Sequence, residues 1–311
     1  MATISHSDPN IPCGRVVAQN IQGTSRTNLY TPVQIVLMSS IVSTEKMPEE
    51  RLSIPGRPSY SEPEDEQLGN DSFFIKNIKF TWVGKKFLLG VDDQGNCCCC
   101  WAFCSTEAIT VAYLKKKKKL IMLSKQQLIN CMYTFYEKPD WFADLEKKEC
   151  YPCSYNKAYT FAKDRGIVAE TMYPFTEQRG ECECPSSEEI IVKIKGYASV
   201  SKLGLNKEGI QELIKEQPIT CAARHVRSLK IHRGKGIYMG LTEKEVEDEK
   251  KKMEQDQDAK VLLHAMLIVG FGTEDGVDFY LVKNSWGKDW GYKGFAKIAC
   301  SVLSRLSYPI I

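Results

Sequence analysis

Apolar positions recur at helical spacing in the first half of the chain. Residues 101–114 combine Ala, Phe, Ile, Val and Leu in a helix-like run, and residues 159–168 continue the same pattern. Residues 123–131 form a further helical segment, in which Ser124 followed by Gln127 predicts a capping box. The first half of the chain is therefore predicted to be mainly helical.

The second half has a different pattern of short apolar runs. These runs indicate strands at residues 190–194, 197–200, 219–223, 236–238, 265–270 and 279–283. A helix at 206–217 interrupts them and stops before Pro218. Residues 242–260 are nearly all Glu, Lys, Asp and Gln, and pairs such as Glu247 with Lys251 predict a solvated helix inserted into a loop.

The N-terminal part lacks the apolar residues that a core requires. Residues 47–69 are dense in Pro, Glu, Ser and Asp, and cannot bury enough surface to offset their ordering entropy. Residues 1–70 are therefore predicted to be a poorly ordered extension, and 71–311 a folded domain.

Composition and charge exclude several classes of partner. Hydrophobic residues make up 43% of the chain, charged residues 26%, and the formal net charge is +3, as in an ordinary soluble globular protein. The one basic run, residues 115–119, follows a predicted helix and complements its dipole, so no nucleic-acid partner is expected. The apolar run 33–38 is too short to span a bilayer, so no membrane partner is expected, and the protein is predicted to be a monomer.

Four adjacent cysteines, Cys97–Cys100, stand directly before the first predicted helix. A cysteine at a helix N-terminus lies at the positive end of the macrodipole, which favours the thiolate over the thiol. The thiolate is the nucleophilic form, so this stretch is a candidate site for covalent catalysis.

Three segments resemble motifs of the papain-like cysteine proteases. Residues 94–103 are similar to the nucleophile segment, with Cys97 and Cys100 at its two cysteine positions and two further cysteines at the small residues between them. Residues 262–272 resemble the strand of the catalytic histidine, which would be His264. Residues 282–291 resemble the asparagine motif and place Asn284 in it.

The resemblance implies an α+β, two-lobed papain-like fold for residues 71–311. A helical lobe would cover about 92–187 and a β-barrel-like lobe about 188–311, with the active-site cleft between them. A turn at residues 274–276 would join the strands that carry His264 and Asn284.

The resemblance also implies a function, that of a cysteine endopeptidase acting on peptide or protein substrates without a metal or organic cofactor. Cys100 would attack the peptide carbonyl and form a thioester, and His264 would protonate the leaving amine. Asn284 would orient the imidazole, Trp286 would shield their hydrogen bond, and Gln94 would donate to the oxyanion.

The cysteine framework leaves alternatives open. The resemblance implies that Cys97 pairs with Cys153, and Cys131 with Cys182 or Cys184. A zinc site is the alternative, since Cys150 and Cys153 form one close pair and Cys182 and Cys184 another.

Departures from the family motifs favour a second function. After Cys153, the positions where the family has Asn-Gly-Gly carry Ser154, Tyr155 and Asn156, so the side chains of Tyr155 and Asn156 are expected to enter the substrate groove, with Lys157 beside its specificity pocket. No inhibitory propeptide pattern is recognisable in residues 1–70. The alternative is therefore a catalytically impaired homologue that acts as a peptide- or protein-binding module.

Two further expectations concern the remaining histidines and the location of the protein. His6, His225 and His232 have no catalytic motif around them and are expected at the surface. The resemblance implies a lysosomal, vacuolar or extracellular protein, whereas residues 1–15 show neither the basic start nor the apolar stretch of a secretory signal.

Overall fold

A computed structural model describes residues 72–146, 148–183, 191–256 and 261–311. The predicted N-terminal extension lies outside these ranges, and the boundaries of the two lobes stay a prediction. The elements in chain order are α1 (Ser72–Ile75), β1 (Ile78–Thr81), α2 (Cys100–Lys117), α3 (Lys125–Phe135), α4 (Tyr155–Asp164), β2 (Ile167–Val168), β3 (Ile191–Val192), β4 (Gly196–Ser199), α5 (Lys207–Glu216), β5 (Ile219–Arg224), α6 (Arg227–Lys230), β6 (Ile237–Tyr238), α7 (Glu243–Gln255), β7 (Leu263–Glu274), β8 (Val277–Lys283), β9 (Phe295–Ala299) and β10 (Ser304–Ile310). Short 3₁₀ helices lie at Asp140–Asp144, Val200–Lys202 and Cys300–Val302.

Helix α2 is the central helix of the first half. It begins at Cys100 and is buried from Trp101 to Ala112 except at Glu107. Three lysines occupy its last turn, as the basic run predicts, where they complement the helix dipole.

The capping box predicted for α3 forms only in part. The Ser124 hydroxyl accepts a hydrogen bond from the backbone N–H of Gln127 at 2.9 Å, as expected. The Gln127 side chain instead accepts from the backbone N–H of Val168 at 2.9 Å, because α3 packs beside β2. A tertiary hydrogen bond to Val168 thus uses the Gln127 side chain, which the local sequence predicts to be part of the helix cap.

The second half forms one large sheet with the order β4-β10-β5-β7-β8-β9-β6, in which β1 also pairs with β7. The β7–β8 hairpin turns at Asp275 and Gly276, whose φ angles are +48° and +78°, as predicted for this segment. In the β5–β7 pair, Ala223 lies opposite His264.

Strand β7 is buried on both faces, which explains its almost continuous apolar sequence. Ala265, Leu267 and Val269 pack into the core that contains α2, α3 and α4. Met266 and Ile268, which alternate with them, pack into a second core that includes residues of α5. The sheet therefore separates two hydrophobic cores, in an α+β arrangement.

The charged insertion forms α7, as the sequence predicts. Thr242 caps it in a complete capping box with Glu245, and none of its residues is buried. Glu247 and Lys251 form the expected pair, with 2.8 Å between their charged atoms. A second ion pair, Arg224 to Glu249 at 3.1 Å, attaches the helix to the end of β5.

The disulfides differ from the expected pattern at one position. Cys131 bonds to Cys182, as predicted, but Cys97 bonds to Cys150 rather than to Cys153. Cys153 is a free, half-buried thiol that accepts a hydrogen bond from the Tyr133 hydroxyl at 3.7 Å. Because the two disulfides use one cysteine from each close pair, the zinc alternative is excluded.

This pairing shifts, by three residues, the alignment of the chain with the family's groove-lining positions. If Cys150 is the disulfide cysteine, the positions that follow it are Tyr151, Pro152 and Cys153 rather than Ser154 to Asn156. Tyr155 is 5% exposed, and its hydroxyl donates to the backbone oxygen of Arg305. The expectation that the Tyr155 side chain enters the groove is therefore wrong.

The register of Asn156 and Lys157 changes with that of Tyr155. Both belong to the first turn of α4, which Ser154 caps by accepting from the Asn156 N–H at 3.2 Å. The ammonium of Lys157 lies 5.3 Å from the centre of the Tyr133 ring. The expectation that these two residues line the groove rested on the register that the disulfide corrects.

The pairing predicts different effects for two neighbouring cysteines. We expect Cys150→Ala to lower the free energy of unfolding by about 2–5 kcal/mol, because it removes a native disulfide. Cys153→Ala is the matched control and should cost less than about 1 kcal/mol, since it removes one weak sulfur hydrogen bond. Urea unfolding of both oxidised proteins measures the difference, and a larger loss in the Cys153 variant would contradict the pairing.

Candidate active site

Cys100 is the first residue of α2, directly after the N-cap Cys99. Its side chain is half-buried, and its Sγ accepts a hydrogen bond from the backbone N–H of Ala265 at 3.4 Å. Ala265 follows His264 on β7, so the sulfur lies against the strand that carries the histidine. The helix dipole and the N–H donor both stabilise negative charge on this sulfur.

His264 is held on two sides. Its Nε2 lies 2.6 Å from Oδ1 of Asn284, just beyond the end of β8, and its ring stacks on Trp286 with centroids 4.0 Å apart. The ring is 2% exposed. Because Asn284 Oδ1 can only accept, Nε2 carries the proton of the neutral ring, and Nδ1 is the ring nitrogen that can accept one.

Gln94 has a fixed amide orientation. Its Nε2 donates to the backbone oxygen of Cys97 at 2.7 Å, and its Oε1 accepts from the Ser285 hydroxyl at 2.7 Å. One hydrogen of the Gln94 amide remains for another acceptor. The backbone N–H of Gln94 also donates to the carbonyl of Ser285 at 2.8 Å, which ties the Gln94 segment to the asparagine segment.

The four predicted site residues are thus connected by short contacts. Gln94 contacts Ser285, the neighbour of Asn284, while Asn284 contacts His264 and Cys100 contacts the neighbour of His264. Residues far apart in sequence meet here because α2 packs against β7 and the β7–β8 hairpin returns the chain to the same place.

Burial disfavours the charged form of Cys100 and of His264 when each is considered separately. It raises the pKa of the Cys100 thiol to about 11 and lowers the pKa of His264 to about 3. Between these values the two groups together hold one dissociable proton, either on sulfur or as a thiolate–imidazolium pair of zero net charge. Reactivity should therefore fall at low pH, where the pair gains a second proton, and at high pH, where it loses its last one.

His225, which sequence analysis expects at the surface, is a half-buried neighbour of the candidate site. It is half-buried just beyond β5, and its ring centroid lies 5.8 Å from those of both His264 and Trp286. Desolvation and the charge of Lys230 lower its pKa. No sequence motif marks His225, because only the pairing of Ala223 with His264 brings the two histidines together. His232 is also half-buried and packs against Tyr238.

The described residues offer neither a metal site nor a membrane-spanning helix. In ranges 72–146, 148–183, 191–256 and 261–311, no group of three or more His, Cys, Asp or Glu side chains could hold a metal ion. Among the helices in those same ranges, none has the length and apolar character needed to cross a bilayer.

Comparison with known sequences gives a consistent family. The model of the papain family of cysteine proteases matches residues 78–309. Pro-cathepsin H from Medicago truncatula is 30% identical over 236 residues, which are 74% of this chain and 60% of that protein. A cathepsin L-like proteinase from Fasciola hepatica is 29% identical, over 75% of this chain and 65% of its own length. The chain thus spans somewhat less than two thirds of these relatives.

Comparison with solved structures gives the same fold. Bromelain from Ananas comosus in complex with the E64 inhibitor has a TM-score of 0.55 and 24% identity, and covers 75% of this chain and 98% of its own. A cysteine protease from Carica candamarcensis in complex with E-64 has a TM-score of 0.55 and 25% identity, over 74% and 97% of the two chains. The predicted α+β papain-like fold is therefore confirmed.

Proposed function

This chain belongs to the papain family of cysteine proteases, and we propose that it is an endopeptidase with Cys100 as nucleophile and His264 as general acid and base. The observation that carries the proposal is the contact of His264 Nε2 with Asn284 Oδ1 at 2.6 Å, beside a sulfur at the N-terminus of a helix. Peptides or proteins are the proposed substrates.

In the proposed reaction, Cys100 transfers its proton to His264 and attacks the carbonyl carbon of the scissile bond. The tetrahedral oxyanion accepts from the backbone N–H of Cys100 and from the remaining amide hydrogen of Gln94. His264 then protonates the leaving amine, the C–N bond breaks, and a thioester remains on Cys100. Water activated by His264 hydrolyses the thioester and restores the thiol.

Asn284 and Trp286 would act by positioning His264. Asn284 fixes the proton on Nε2 and so leaves Nδ1 for exchange with the sulfur. Trp286 covers the imidazole face, which keeps water from competing for the same hydrogen bond. Ser285 in turn holds the Gln94 amide in a donating orientation.

The alternative, a catalytically impaired binding module, keeps one support, because the disulfide to Cys150 places Pro152 and Cys153 at the two glycine positions. It loses another. It depended in part on the Tyr155 side chain entering the groove, but Tyr155 is buried beneath Arg305. The names of the relatives also describe proteases rather than binding modules.

Labelling with an epoxide probe of the E-64 type tests the proposal. We expect one equivalent of probe to react at mildly acidic pH, because only a thiol paired with an imidazole keeps its nucleophilic form there. Cys100→Ala and His264→Ala should abolish labelling. Cys98→Ala is the matched control, since Cys98 is an exposed thiol two residues away without this pairing, and it should label as the native protein does. Equal labelling of all four proteins, or of none, would refute the proposed nucleophile.

A further inference from the structure

A cleft of about 460 Å³ opens beside the candidate site. Gln94, Cys98, His225 and Trp286 line the part nearest to the site, and Lys230, Arg233 and Asp289 line the remainder together with Trp290. The resemblance to known proteases assigns no role to the charged side chains of this cleft.

The position of the cleft relative to His264 identifies the part of a substrate that would fill it. Trp286 and His225 both line the cleft and both stack near the His264 ring, at 4.0 and 5.8 Å between centroids. In the proposed reaction His264 gives its proton to the leaving amine. A cleft on this side of the imidazole therefore receives the residues that follow the scissile bond.

The cleft carries an excess of positive charge. Lys230 and Arg233 are exposed, and among the described residues neither takes part in an ion pair. The guanidinium of Arg233 donates to the backbone oxygen of Asp289 at 3.4 Å, which holds it at the rim. Asp289 supplies the one carboxylate among the lining residues, so the two cations outnumber it.

We propose that Lys230 and Arg233 bind a substrate carboxylate on the leaving-group side of the scissile bond. The carboxylate would come from an acidic side chain or from the C-terminus of the substrate. This inference rests on the proposed function, because the leaving-group side is defined by proton transfer from His264. An arginine–carboxylate pair can form two parallel hydrogen bonds, and Lys230 adds a second charge to the lining of the same cleft.

Matched quenched-fluorescence peptides test the proposal. One set carries Glu or Gln at the first and second positions after the cleaved bond, with an amidated end. In a second set, Gln occupies the same two positions and is the C-terminal residue, which ends either in a free carboxylate or in an amide. A peptidyl-aminocoumarin amide, whose leaving group has no carboxylate, reports the chemical step alone.

We expect the native protein to prefer the carboxylate form of at least one set by about three- to tenfold in kcat/KM, the size expected for two partly exposed charge pairs. The double variant Lys230→Gln/Arg233→Gln should lower this preference to less than about twofold, and 0.5 M NaCl should weaken it in the native protein. The control Lys235→Gln/Lys288→Gln removes the same charge from exposed residues that do not line the cleft and should keep the preference. The control variant should hydrolyse the coumarin amide as the native protein does. Because burial and the charge of Lys230 both lower the pKa of His264, the preference of the Lys230→Gln/Arg233→Gln variant is taken as the ratio of two peptides on the same protein, in which the rate of the chemical step cancels. The set that shows the preference identifies the source of the carboxylate.

The outcomes separate this inference from the proposed function. Hydrolysis of the coumarin amide without a preference for either carboxylate would overturn the inference and leave the endopeptidase proposal intact. If the native protein hydrolyses nothing, the proposed function fails, and fluorescence anisotropy of the labelled peptides on Cys100→Ala protein tests the cleft directly. Equal binding of carboxylate and amide peptides would then overturn the inference, and tighter carboxylate binding that is lost in the Lys230→Gln/Arg233→Gln background would support it.

Discussion

Cys100→Ala and His264→Ala are each expected to lower kcat/KM for a peptide substrate by about 10⁴- to 10⁶-fold. The reason is that neither group can act alone. Burial raises the pKa of Cys100 to about 11 and lowers that of His264 to about 3, so in the proposed mechanism a reactive thiolate forms only when its proton passes to the imidazole.

The same reasoning predicts that the two losses do not add. The double variant Cys100→Ala/His264→Ala should be no slower than either single variant within about tenfold, because each substitution already removes the pair. Steady-state kinetics on one fluorogenic peptide, with Cys98→Ala as the control for a neighbouring thiol, measures this. Multiplicative losses would show that the two side chains act independently and would contradict the proposed pair.

Glu107→Gln is expected to lower the free energy of unfolding by about 3–5 kcal/mol. The ammonium of Lys283 lies 2.5 and 2.6 Å from the two carboxylate oxygens of Glu107 and 2.9 Å from the backbone oxygen of Leu89. The Lys283 side chain is 2% exposed and that of Glu107 is 12% exposed. Removing the carboxylate charge leaves a buried ammonium uncompensated, which is the costly case for an ion pair.

The position of this pair also links stability to the site. Glu107 lies on α2, which begins with Cys100, and Lys283 ends β8 directly before Asn284. The pair therefore connects the helix of the proposed nucleophile to the segment that contacts His264. Urea unfolding and kcat/KM, measured on the same variant, report the two effects separately.

Two controls make the Glu107 prediction specific. Glu247→Gln breaks an exposed ion pair on α7 and should change the free energy of unfolding by less than about 0.5 kcal/mol. Glu107→Leu/Lys283→Met replaces both charges and should recover most of the stability, since no unpaired charge remains. A loss below about 1 kcal/mol in Glu107→Gln would show that water or another group compensates Lys283.

Much of the local structure follows from residue patterns alone. The helical period predicts α2, α3 and α5, and the run of Glu and Lys predicts α7 with its Glu247–Lys251 pair. The short apolar runs predict β3 to β8, although β7 extends beyond its predicted end to Glu274. These elements depend on the burial of one face or on contacts between residues three and four positions apart. The local sequence shows both features directly.

Contacts between side chains that are distant in sequence cannot be predicted in the same way. The Gln127 side chain does not cap α3, because its oxygen accepts a hydrogen bond from the backbone N–H of Val168. Cys97 forms its disulfide with Cys150 and not with Cys153, which lies three residues further along the chain. Two cysteines at such close spacing look equivalent in sequence, whereas bond formation depends on the distance between their Cα atoms, which is 5.1 Å for the pair that forms.

The sequence by itself determined the candidate residues of the site, because a cysteine before a helix, a histidine in an apolar strand and an asparagine after the next strand each stand in an extended motif. Only the tertiary structure decided what surrounds them. Strand pairing brings His225 beside His264, and the fold places Lys230, at the end of α6, and Arg233 in the same cleft as Trp286. The physical reason is that a motif consists of residues close together in sequence and can be recognised there. A binding surface is formed by residues that come close together only once the sheet has formed.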